Sequence, residues 1–169
     1  MTIYFSKIGL ELKKAQIRIS ENKIKALQKE AADAAGVSYD WHDNFGYEDA
    51  QRRVDQETNT LMVLKRELKE AKEINIEEQQ QEVLIGTTVI FSLGTEEKEF
   101  TIGAYEETSP KMGLISYTSP LAVPLIKMRV GEQKIIDVGG KKVTAEIKKI
   151  LPPSYRYTEL IKRFYNKRG

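Results

Sequence analysis

Two aspartates, Asp40 and Asp43, stand close together in the run DWHDNFGY, between two long stretches of helical pattern. A solvated turn joining two helices needs no particular acidic pair, whereas a rod that carries carboxylates to another protein's active site does. Asn44 and Tyr47 follow at once, and Arg52 and Arg53 come within the next turns. A plainer role for the acids is capping the second helix, since Asp and Asn favour helix starts and a helix N-terminus attracts negative charge. Trp41 and Phe45 either pack on each other and stiffen the turn or stack on a base, as aromatic side chains do with single strands. His42 is a solvated turn residue, or else touches a phosphate or moves a proton. Arg52 and Arg53 either meet a phosphate or lie on a solvated face.

The flanking residues dictate how such a turn is held. Leu10, Ile17, Ile24 and Ala31 are seven apart, with Leu27 and Ala34 three residues after the last two. Beyond the turn, Tyr47, Val54, Leu61 and Leu68 repeat the spacing, with Ala50, Leu64 and Ala71 on the adjoining row. Such spacing puts one apolar stripe on each helix. Two stripes joined by a short polar segment predict an antiparallel coiled-coil hairpin over residues 1–74. Arms of about 30 residues make a rod roughly 45 Å long, with the acid pair at its far end.

Composition excludes several chemistries. The 169-residue chain has no cysteine and a single histidine. Disulfide frameworks, thiolate metal sites and multi-histidine metal sites are therefore impossible. No Gly-rich phosphate loop is present, and no apolar run reaches membrane-spanning length. The N-terminus lacks the apolar stretch of a signal peptide, so a cytoplasmic protein is expected. Residues 1–81 carry 13 basic and 15 acidic side chains, residues 82–150 carry 9 of each, and residues 151–169 carry 5 and 1. A near-neutral chain of this kind does not bind bare DNA through its overall field.

The helical period ends at a polar linker, 75–82 (NIEEQQQE). Residues 83–85, 87–93, 99–104, 114–117, 133–138 and 143–150 then read as strands, rich in β-branched residues and bounded by turn residues. Gly94-Thr95 and Gly139-Gly140 mark hairpin turns. Residues 119–128 (SPLAVPLIKM) predict a short helix from a Ser-Pro start, with Pro124 limiting it. Residues 83–150 are thus expected to form a small α+β domain, an antiparallel sheet with one short helix on a face. After Pro152-Pro153, residues 151–169 form a basic tail in which Tyr157, Leu160, Ile161, Phe164 and Tyr165 make an apolar row at helical spacing. Either the tail packs on its own domain, or it adds a grip on a partner protein or on nucleic acid.

The ordered combination resembles the bacterial Gre factors, GreA and GreB, over roughly residues 5–150. Asp40, Asp43, Asn44 and Tyr47 fall on the family's tip pattern D-x-x-[E/D]-N-x-x-Y. Gly9 matches the early glycine, and Leu61, Leu64, Leu68 and Ala71 match apolar positions of the second helix. Gly86, Val89, Leu114, Ile115, Ser116, Ser119, Pro120, Ala122, Leu125, Ile126, Gly139 and Gly140 match the C-terminal domain. Asp43 stands where the family usually has Glu, Trp41 replaces a smaller residue, and Phe45-Gly46 replaces a typical Ala-acid pair. The tail extends past the point where typical members stop.

The resemblance implies an FKBP-like C-terminal domain that docks on bacterial RNA polymerase at its secondary channel, with Ser119, Pro120 and Leu121 in the docking surface. It implies a hairpin that carries Asp40 and Asp43 to the polymerase's catalytic centre and stimulates cleavage of backtracked RNA. Asn44, Tyr47, Arg52 and Trp41 would support the tip or contact the nascent RNA 3′ end. The factor would be no enzyme and have no cofactor of its own. The two aspartates would share Mg²⁺ with the polymerase, without membrane or sequence-specific DNA binding. The alternative on the same fold is a channel-binding regulator or inhibitor without cleavage activity. Stand-alone proline isomerisation and a generic coiled-coil adaptor are more distant alternatives.

Overall fold

The stripe of Leu10, Ile17 and Ile24 winds into helix α1, Lys7–Val37, and the second stripe into α2, Phe45–Glu70. The computed structural model describes residues 2–37, 45–78 and 81–167. Ile17, Leu27, Ala31, Ala50 and Val54 are buried between the helices. Cross-helix ion pairs set an antiparallel register. Lys13 pairs with Glu67 at 3.0 Å, Lys23 with Glu57 at 2.6 Å, and Arg53 with Glu30 at 2.5 Å. Two polar side chains occupy the inner row itself. Lys13 and Ser20, one heptad apart and in line with Leu27, are each 3% exposed, and the Ser20 hydroxyl donates to Glu57 Oε1 at 2.7 Å. The inner row is thus polar in its first half and apolar in its second. A polar residue in such a seam fixes register at a cost in stability.

The chain divides into two compact units: Met1–Ile3 with Lys7–Lys72, and Tyr4–Ser6 with Glu73–Gly169. Strand β1, Ile3–Phe5, pairs with β2, Ala71–Glu73, in a two-stranded sheet. The sequence division at residue 74 does not anticipate this pairing, because three-residue strands carry almost no periodic signal.

The second unit is built on a five-stranded sheet. Its strands are β3 (Thr88–Leu93), β4 (Glu96–Gly103), β5 (Leu114–Ser116), β6 (Gln133–Val138) and β7 (Lys141–Leu151), in the order β5-β4-β3-β7-β6. The turns Gly94-Thr95 and Gly139-Gly140 close the β3–β4 and β6–β7 hairpins. Gly139 and Gly140 both have positive φ, 62° and 83°, as a two-residue hairpin loop of this hand requires.

Three expectations are corrected. The sheet is not wholly antiparallel, because β4 and β5 pair in parallel, Thr101 opposite Leu114; the intervening residues 104–113 give the chain room to cross back. Residues 83–85 form no strand. Val83 only exchanges bonds with a loop, its N–H donating to Met128 O at 2.9 Å and its carbonyl accepting from Lys127 N–H at 2.8 Å. Residues 119–128 form a chain of turns and no helix. Val123 N–H donates to Ser119 O and Ile126 N–H to Ala122 O, but Pro124 has no N–H with which to continue the ladder between them.

Alternation along the strands gives each sheet face its own cover. Val89, Phe91, Ile102, Ile115, Ile136, Ala145 and Ile147 pack with Ala122 and Leu125 of the 119–128 segment. Leu114 packs instead with Tyr157, Ile161 and Phe164 of helix α3, Pro153–Asn166. The tail is therefore an integral layer of its unit. The domain's helix is α3 and not the segment expected at 119–128.

Candidate functional site between the helices and at residues 119–128

Asp40, Trp41, Asp43 and Asn44, with His42, lie outside the described residues. Of the tip set, Tyr47 and Arg52 are described. Phe45 and Tyr47 open α2 with side chains 80% and 41% exposed. One turn on, Asp49 accepts from Arg52 at 2.6 Å and forms an ion pair with Arg53, whose Nε lies 3.0 Å away. The Arg52 hydrogen bond, helped by the charge of Arg53, holds the Asp49 carboxyl below its usual range. Arg53 also reaches Glu30 and so ties the two helices together near their connection. The two arginines differ in consequence: Arg53 is a structural clamp, whereas Arg52 is 69% exposed and, among the described residues, pairs with its own helix neighbour. Among the described residues no group of three or more His, Asp or Glu side chains is arranged to hold a metal ion.

The expected docking residues lie in the turn segment of the second unit. The Ser119 hydroxyl accepts from Ala122 N–H at 3.2 Å, and Ser119 N–H donates to Ser116 O at 2.9 Å. Ser116 and Thr118 hydroxyls bond each other at 2.9 Å. Ala122 and Leu125 are fully buried, while Pro120 and Val123 face outward and Leu121 is half-buried against the core. The loop is thus pinned from below and presents a rigid Pro120 edge. Ile126 and Lys127, just downstream, join Tyr4, Leu84, Ile85 and Tyr117 around a mostly apolar cavity of about 410 Å³. Lys127 has φ 67°, a backbone conformation uncommon outside glycine.

One group escaped the sequence reading altogether. Glu107 is fully buried. Its Oε1 accepts from the Ser6 hydroxyl at 2.5 Å and from Tyr165 at 3.0 Å. Its Oε2 accepts from Ala104 N–H at 2.8 Å and from Tyr157 at 3.1 Å. Burial, and then the Glu107 charge, pushes the Tyr157 phenol up. Nothing in the run Tyr105-Glu106-Glu107-Thr108 distinguishes this carboxylate from its exposed neighbour Glu106.

Residues 78–152 match the family described as transcription elongation factor, GreA/GreB, C-terminal domain. The resemblance to Gre factors therefore holds in that part of the chain. Transcription elongation factor GreA of Nautilia profundicola is 43% identical over 70 residues, 40% of this chain and 43% of that protein. The match therefore spans less than half the length of this curated relative. Among solved structures, GreA factor homolog 1 (Gfh1) of Thermus thermophilus aligns over 89% of this chain and 99% of its own, at 21% identity and a TM-score of 0.41. The GreA/GreB factor of Nitrosomonas europaea aligns over 89% and 98%, at 17% identity and a TM-score of 0.37. No described helix is long and apolar enough to cross a membrane. The family match ends at residue 152, immediately before α3.

Proposed function

We propose that the chain is a cytoplasmic transcription elongation factor that enters the secondary channel of bacterial RNA polymerase and stimulates cleavage of backtracked RNA. One observation carries the reading: a GreA/GreB-type C-terminal domain follows an antiparallel hairpin whose connecting segment contains Asp40 and Asp43. In this account the second unit docks through the Ser119-Pro120-Leu121 edge. The hairpin delivers the two carboxylates to the catalytic centre of another protein, with the nascent RNA 3′ end beside Trp41, Asn44, Tyr47 and Arg52.

The donor set suits that division of labour. Two aspartates offer the hard oxygens Mg²⁺ prefers, but leave most of its coordination positions to be filled from elsewhere. Asp40 and Asp43 would therefore share a Mg²⁺ with the polymerase, with no cofactor owned by this chain. Bound there, the ion lowers the pKa of water and offsets charge on the phosphoryl oxygens. The aspartates bind and orient at that place, and Arg52 lies within reach of a phosphate once it exchanges Asp49 for it. The chain contributes ligands and no complete catalytic centre, so it is not itself an enzyme.

The test is to add the protein to stalled, backtracked polymerase complexes and to active ones, reading RNA length in each. Shortened RNA in the stalled complexes and resumed synthesis support cleavage stimulation. Slowed synthesis without shortening would replace it with the inhibitor reading on the same fold.

A further inference from the structure

Helix α3 lies beyond the part of the chain that the family describes, and packing uses only one of its sides. Pro153, Tyr157, Leu160, Ile161 and Phe164 are its buried residues. At 100° per residue the opposite side carries Tyr155, Thr158, Glu159, Lys162, Arg163 and Asn166, all exposed. Lys167, at the C-terminal cap, adds a further exposed cation. Arg156 does not belong to this set, since it is held by Glu99 at 2.5 Å. Glu159 is the one acid on the face. It reaches Arg163 only at 3.9 Å, with both side chains well exposed, so it neutralises little.

We infer that the outer face of α3 is a binding surface for the phosphodiester backbone of nucleic acid. Every exposed side chain named on it except Glu159 carries an N–H or O–H donor, and such donors make most backbone contacts. A protein partner is a poorer fit. Interfaces between proteins are organised around buried apolar or aromatic anchors, and α3 has turned its apolar residues inward, leaving only Tyr155, 55% exposed. Complementing the helix dipole accounts for cations in the last turn, but it does not require Tyr155, Thr158 and Lys162 to line up behind them. The fastening to Glu107 and the buried apolar row hold the face in place, so its charges are presented together rather than on a loose tail.

This inference goes beyond the role proposed for the hairpin and is testable without polymerase. Fluorescein-labelled duplex DNA and single-stranded RNA would each be titrated with the full chain, and with Lys162→Gln/Arg163→Gln/Lys167→Gln, by anisotropy across a salt series. Three phosphate contacts give a log–log salt slope of about −2.7 on duplex DNA and about −2.1 on a single strand. On duplex DNA this is about a fortyfold loss of affinity between 50 and 200 mM salt. The triple variant should bind more weakly at low salt and lose most of that slope, with an unchanged melting temperature. Binding to one polymer only would name the source of the phosphates. Absence of salt-dependent wild-type binding to either polymer, or an unchanged slope in the folded variant, would overturn the inference.

Discussion

Replacing Glu107 should loosen the second unit by an amount that depends on how many of its four donors lose an acceptor. The residue is fully buried, and its carboxylate accepts from Ser6, Ala104, Tyr157 and Tyr165 at 2.5 to 3.1 Å. Hydrogen bonds to a charged group contribute about 1.5–3 kcal/mol each, and an orphaned buried donor costs about 1–3 kcal/mol. In Glu107→Gln the amide oxygen must stay with Ala104 N–H, which cannot rotate, so the new NH₂ faces the Ser6 and Tyr165 hydroxyls. Those hydroxyls can turn and accept, which recovers part of two bonds; the expected loss is about 2 kcal/mol. Glu107→Ala removes the shared acceptor of all four bonds and opens a cavity, for a loss of about 4 kcal/mol or more. Tyr165→Phe removes one of four donors and should cost about 1 kcal/mol. The assay is urea unfolding by circular dichroism, with hydrogen exchange on the peptide covering α3 to localise the change. The order Ala, then Gln, then Phe in severity is the result expected. Wild-type stability and wild-type α3 protection in both Glu107 variants would refute the view that this carboxylate fastens the tail.

In the hairpin, Lys13→Leu alone should destabilise by about 3 kcal/mol, because Glu67 would be left without its buried partner. Adding Glu67→Leu should restore most of that loss, and thermal melts of the two variants decide it. Tyr157, whose phenol is pushed up by burial and by Glu107, contributes stability that is complete below its unfolded pKa of about 10. That contribution drains away as pH rises from there toward the higher folded value, so Tyr157→Phe should flatten the alkaline fall in melting temperature. Pro120→Asp should weaken polymerase binding tenfold or more, about 1.4 kcal/mol, with little change in melting temperature because the edge is exposed. An unchanged dissociation constant in a polymerase titration would remove that edge from the docking surface.

Where a periodic signal was long, the sequence was readable. The repeats through Ile17 and Val54 predict both helices, and the β-branched run between Gln133 and Val138, closed by Gly139-Gly140, predicts β6. The readings fail where the deciding contact is distant or the element short. Residues 119–128 read as a helix, but Pro124 removes a donor between their two turns and Leu125 N–H turns to Ala122 O. The parallel pairing of β5 depends on the route of residues 104–113, which composition does not specify. Lys13 and Ser20 look like surface residues until their heptad position beside Leu27 is counted. Glu107 is set apart only by donors from residues 6, 157 and 165, separated from it by up to 101 positions. The tail's apolar row was legible, and its spacing left both of its roles open. Packing occupies one side of α3 and leaves the other to solvent. At the candidate site the sequence alone supplies Asp40 and Asp43, through their types, their spacing and the family pattern.

The central claim is that these two carboxylates work inside another enzyme. It is tested most directly by comparing RNA length in backtracked polymerase complexes given the wild-type chain, Asp40→Asn or Asp43→Asn. An amide is a poor substitute for an anionic Mg²⁺ ligand, so each variant should lose most of the stimulated cleavage. Each should still bind polymerase nearly as well as wild type, because docking is proposed for the other unit. Cleavage at wild-type rates by both variants would contradict the account.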